Sequence, residues 1–208
     1  MLEIITLDQL GNIRRDLQFP YTAYIQSETE DAVSTPEFFT IGSGTAAVRD
    51  RGEWNLLGRE VHDVPQIERH ARSASGILHS LGLKRFLIQQ AVPEALWFRG
   101  GHYEQCERVN NMVGYLRSGG FDAALSGWRG ALIVKDDVGG FLECFLDYPF
   151  KLKYYDLQLF AIEAPLAMII SHHLSIEYIS TDRGLTRSLS ARIISEGILE
   201  SPDRGLIA

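Results

Sequence analysis

Two adjacent histidines, His172 and His173, are the residues in this sequence best suited to chemistry. Imidazole titrates closer to neutral pH than any other side chain, so it can pass protons, and its neutral nitrogens bind metals. Leu166, Met168, Ile170, His172, Leu174, Ile176 and Tyr178 occupy every second position, as one face of an extended segment does. Successive strand residues point to opposite faces, so a single strand separates the two rings and makes a joint two-histidine metal clamp poor. His173 then shares its face with Ser171, Ser175 and Glu177, and it meets the Glu177 carboxylate only if the chain bends or is helical. His172, His173 and Glu177 are the first catalytic candidates.

His102 and Cys106 are the second set, four residues apart at the start of an expected helix. That spacing suits a thiolate activated by imidazole, but Cys106 also falls on an apolar stripe with Val109 and Val113, where a core thiol is the simpler reading. No HExxH, CxxC or second ligand pair accompanies them, so neither a metal site nor a cofactor is expected. Gly42-Ser43-Gly44-Thr45 resembles the opening of a phosphate-cradling turn but lacks the third glycine or the lysine such loops use, and it reads as a plain turn. Arg183, Arg187 and Arg192 lie along a final helix, where they are expected to pair with the protein's own carboxylates. Glu28, Glu30 and Asp31, then Asp136 and Asp137, then Glu200 and Asp203, form acidic loops that become a binding surface if they converge.

These residues need elements to position them. Leu2 to Leu7 reads as a strand, with Asp8 capping a short helix toward Leu17, and the polar run from Gln26 to Pro36 reads as an exposed loop. Glu37 to Ile41 and Trp54 to Val61 read as further strands. The clearest helix is Gln66 to Leu81, with Ile67, Ala71, Ala74, Ile77, Leu78 and Leu81 at helical spacing between Pro65 and Gly82. An apolar segment from Phe86 to Phe98 is broken by Pro93, and a helix follows from Tyr103 to Leu116. From Trp128 to Ser180 the period shortens: Ala131 to Val134, Phe141 to Leu146, Leu152 to Ala161 and Leu166 to Tyr178 read as strands of a meander. Ser180-Thr181-Asp182 then caps the last helix. The expectation is one α+β domain over residues 1–208, an antiparallel sheet packed against several helices.

Bulk composition narrows the function. A formal charge of -7, from 20 Lys plus Arg against 27 Asp plus Glu, disfavours nucleic acid, because phosphate binding needs basic side chains. Two isolated cysteines supply no disulfide framework, and the most apolar stretch, Leu157 to Ile170, is interrupted by Gln158, Glu163 and Pro165, so no membrane span is expected. No basic and apolar leader opens the chain, so a cytoplasmic protein is expected. The first functional expectation is an acidic protein-binding module, an immunity-type protein that neutralises a basic toxin by electrostatic complementarity. The alternative is a small-molecule enzyme with a His/Glu or His/Cys site. A third expectation is a homo-oligomer assembled through an exposed sheet edge.

Overall fold

The computed structural model describes residues 1–27, 36–44, 64–98, 107–122, 127–149, 155–171 and 174–198. Seven strands form one antiparallel sheet: β1 (Leu2–Ile5), β2 (Phe39–Ser43), β3 (Arg85–Gln90), β4 (Ala131–Lys135), β5 (Leu157–Ala161), β6 (Leu166–Ile170) and β7 (Ile176–Ser180). Their order across the sheet is β1-β4-β3-β5-β6-β7-β2, so β5, β6 and β7 form a meander while β3 is inserted between β4 and β5. Six helices accompany them among the described residues: α1 (Leu7–Asp16), α2 (Tyr21–Ser27), α3 (Val64–Ser80), α4 (Glu107–Ser118), α5 (Val138–Phe145) and α6 (Arg183–Ser195). The sheet is not closed, and the α+β expectation is borne out.

Strand alternation divides the core in two. Phe86, Ile88, Leu132, Leu159, Met168 and Tyr178 face a large cluster shared with α3, α4, α5 and α6. Leu87, Ile133, Phe160, Ala167 and Ile179 point the other way, under Leu10, Phe19 and Tyr24 of the α1–α2 segment. Both sheet faces are therefore buried, which is why Phe86–Ile88 of β3 and Ala131–Val134 of β4 are unbroken apolar runs instead of alternating. The α3 stripe is buried as its spacing predicts, and so are Val109, Met112, Val113 and Leu116 of α4.

Several local expectations change. Phe141 to Leu146 is helix α5 with its C-cap, not a strand: Asp137 caps it by accepting from Gly140 N at 3.1 Å, and Val138, Phe141, Leu142 and Phe145 form a buried helical stripe. The cap of α1 is Thr6 rather than Asp8, with Thr6 and Gln9 closing a reciprocal capping box. Gly42 and Ser43 continue β2 instead of turning, and Ser43 pairs with Ile176. Asp182 does cap α6, accepting from Gly184 N and Leu185 N. The expected strand over Trp54–Val61 and the acidic loop 28–31 lie outside the described residues.

The supposed single strand from Leu166 to Tyr178 is a hairpin. Ile170 pairs with Ile176, Met168 with Tyr178 and Leu166 with Ser180. Ser171 N donates to Ser175 O at 3.0 Å, the two hydroxyls lie 2.9 Å apart, and Leu174 takes a positive φ of 59° beside this turn. Directly opposed residues of an antiparallel pair share a face, so this register keeps even positions on one face before and after the turn. The one strand expected through both histidines is thus two, β6 ending at Ile170 and β7 beginning at Ile176, and His172 and His173 themselves lie outside the described residues.

Candidate functional site

A cleft of about 400 Å³ opens between α3, the connection into β3 and the start of α5. One wall is the α3 face carrying Arg72, Ser75, Gly76 and His79, which recur at the spacing of a single helical face. Lys84 lies at the entrance to β3. The opposite wall carries Asp136, Gly139 and Glu143. Gly139 permits the close approach of the two helices, since a Cβ there would stand 2.6 Å from Ser75 Oγ.

Asp136 owes its place to the β4–α5 connection. Its N–H donates to Lys84 O at 2.9 Å, and its φ is 62°, in the left-handed region that aspartate enters more readily than most residues. Asp137, the next residue, turns its carboxylate back to cap α5. Of the two expected acidic binders here, Asp136 thus faces the cleft and Asp137 serves the helix. Arg72 has an i,i+4 ion pair with Glu68 at 3.7 Å, but among the described residues neither Asp136 nor Glu143 has an ion-pair partner. The cleft therefore holds Arg72 and Lys84 together with the carboxylates of Asp136 and Glu143.

Beneath the helical face lies a second polar group that the sequence reading passed over. Ser43 Oγ sits 2.9 Å from His70 Nε2 and 3.4 Å from Tyr178 Oη, all three residues being sealed from solvent. Burial lowers the His70 pKa to about 4, so the ring is neutral, and burial raises that of Tyr178 to about 12. His70 Nδ1 has no hydrogen-bond partner among the described residues. A base on a serine hydroxyl is the beginning of a nucleophile relay, but among the described residues no carboxylate bonds this imidazole, and the hydroxyl is buried. The signal was present: position 70 belongs to the buried stripe of α3, between Ile67 and Ala74, where a histidine must find a polar partner.

Arg108 of α4 grips Asp147 with two hydrogen bonds, at 3.1 and 2.8 Å, and Nη2 also donates to Glu143 O at 2.9 Å. Burial alone would lower the Arg108 pKa, and the hydrogen bond and charge of Asp147 outweigh it, leaving it raised. Nearby Cys144 is a partly buried free thiol whose pKa burial pushes up, the reverse of an activated thiolate. Arg183 pairs with Glu37 at 3.6 Å and lies over the Phe39 ring at 4.9 Å, joining the start of α6 to β2 as a structural contact.

His172, His173, His102, Cys106, Glu28, Glu30 and Asp31 lie outside the described residues. Glu177 is on β7 beside Ile169 and Gly42, on the sheet face that α1 and α2 cover and on the opposite side from the cleft. Among the described residues no three His, Cys, Asp or Glu side chains gather as a metal site, and no helix is long and apolar enough to cross a membrane. No family model matches the chain, and no curated protein or solved structure matches it.

Proposed function

We propose that the chain is a cytoplasmic protein-binding module that captures a basic partner, in the manner of an immunity protein masking a toxin. The observation that carries this reading is the acidic wall of the cleft: Asp136, held at positive φ, and Glu143 have no internal counter-ion among the described residues. Backbone strain persists where the surrounding structure enforces it, and it clusters at binding sites. A lysine or arginine of the partner entering the cleft would meet both carboxylates, while the overall charge of -7 steers a basic protein toward the module.

The test is affinity capture from native cells with the wild-type chain and an Asp136→Asn/Glu143→Gln variant in parallel. The reading predicts a protein of high isoelectric point that the wild type retains at low salt, that raised salt releases, and that the variant retains at least tenfold less. Equal retention of every captured protein by the two baits would refute it.

A further inference from the structure

On the other side of the sheet, Gln89 and Gln158 stand opposite each other on β3 and β5, Gln89 fully buried and Gln158 nearly so. Glutamines buried in a sheet must spend their amide groups on partners. Arg14 of α1 donates from Nε at 3.1 Å and from Nη2 at 2.8 Å to Gln89 Oε1. Because arginine has only donors, the Gln89 oxygen must face it, and the amide orientation follows from chemistry. Gln89 Nε2 then donates to Gln158 Oε1 at 2.8 Å and approaches Tyr21 Oη at 3.5 Å. The Tyr21 ring, 4.4 Å from Arg14 Cζ, braces the guanidinium.

These bonds leave several donors unused. Arg14 has used the Nε–Nη2 side of its guanidinium and keeps the Nη1–Nη2 edge, the one with two parallel N–H groups. Gln158 accepts from Gln89 through its oxygen and keeps its amide N–H₂ to donate. Tyr21 accepts from Gln89 and keeps its own O–H to donate. Each of the three residues keeps at least one unused N–H or O–H, the assembly carries a positive charge, and among the described residues no carboxylate pairs with Arg14. Glu177 shares the row but lies two strands beyond Gln158, past Ile169, roughly 10 Å away at the usual strand spacing. Arg14 and Tyr21 are partly exposed, so a solute can reach them.

We propose that Arg14, Gln158 and Tyr21 form a carboxylate-binding site, with buried Gln89 as the residue that positions it. The free guanidinium edge matches a planar carboxylate bidentately, and Gln158 and Tyr21 supply further donors. The site lies on the opposite face of the sheet from the acidic cleft, so either proposal can fail without the other.

The experiment is a ¹⁵N NMR titration of the whole chain, following the Arg14 Nε–H and Gln158 Nε2–H₂ signals with acetate, with inorganic phosphate, and with chloride at matched ionic strength. Acetate should give saturable shifts at both groups, with phosphate binding at least tenfold more weakly. Arg14→Lys, which keeps the charge and loses the fork, should weaken acetate at least tenfold. Should that variant fail to fold, Gln158→Leu takes its place with several-fold weakening expected. Shifts no larger than those with chloride, tighter binding of phosphate, or undiminished acetate binding in the folded variant would each overturn the proposal.

Discussion

Ser43 Oγ lies 2.9 Å from His70 Nε2, a hydrogen bond that ties the edge strand β2 to helix α3. Among the described residues β2 pairs with β7 alone, so this bond and the Ser43–Tyr178 contact are further side-chain anchors of that strand.

The first prediction follows from the neutral state of that buried ring. Folding lowers the His70 pKa from 6.5 to about 4, so the unfolded chain takes up this proton first as pH falls. Its contribution to stability is intact above pH 6.5 and is lost progressively toward pH 4, amounting to roughly 3 kcal/mol at about 1.4 kcal/mol per pKa unit. Urea unfolding across this range should show a His70→Asn variant losing less stability than wild type. Parallel curves would contradict a buried neutral histidine.

The Arg108–Asp147 pair should matter more than an ordinary surface ion pair, because the Asp147 side chain is 0% exposed. Arg108→Met leaves a buried carboxylate without its cation and should cost about 3–5 kcal/mol by urea unfolding. A loss below about 1 kcal/mol, the range of exposed pairs, would show that the carboxylate is hydrated.

Gly130 sits where β4 begins, at φ 141°, and a Cβ there would stand 2.4 Å from Ile5 O, a backbone atom of the neighbouring strand. Gly130→Ala should therefore destabilise by roughly 3 kcal/mol or more, since β1 must move away from β4. Gly139→Ala makes a useful contrast: its Cβ meets the Ser75 hydroxyl, which can rotate, so the loss in a thermal melt should be clearly smaller.

How far the sequence reveals this molecule depends on the kind of signal. Helices α3 and α4 are legible because their apolar residues hold a period near 3.6 over several turns. Helix α5 is not: its 8 residues are too few to establish a period, and its Val, Phe and Gly residues also suit a hairpin. The β6–β7 turn is invisible for a different reason, since the Ile170–Ile176 register preserves alternation across it. Asp136 is singled out by composition, but Glu143, Arg72 and His79 are not, because only the packing of α5 on α3 brings them together. His70, Gln89 and Gln158 carry a readable mark: each is a polar residue at a position whose neighbours in the pattern are buried.

Asp136 separates binding from folding. Its left-handed backbone suits glycine better, so Asp136→Gly should leave thermal stability unchanged or raise it by up to about 1 kcal/mol while weakening the partner. A variant that loses stability and retains the partner would make Asp136 a structural residue only.

Zero-length carbodiimide cross-linking in native extract, followed by mass spectrometry, addresses the role of the acidic cleft most directly, because the reagent joins carboxylates only to amines already in contact. The expected result is a cross-link from Asp136 or Glu143 to a lysine of a basic protein, abolished at about 0.5 M salt as screening weakens the encounter. Cross-links confined to carboxylates outside the cleft, with Asp136 and Glu143 unmodified by any partner, would contradict it.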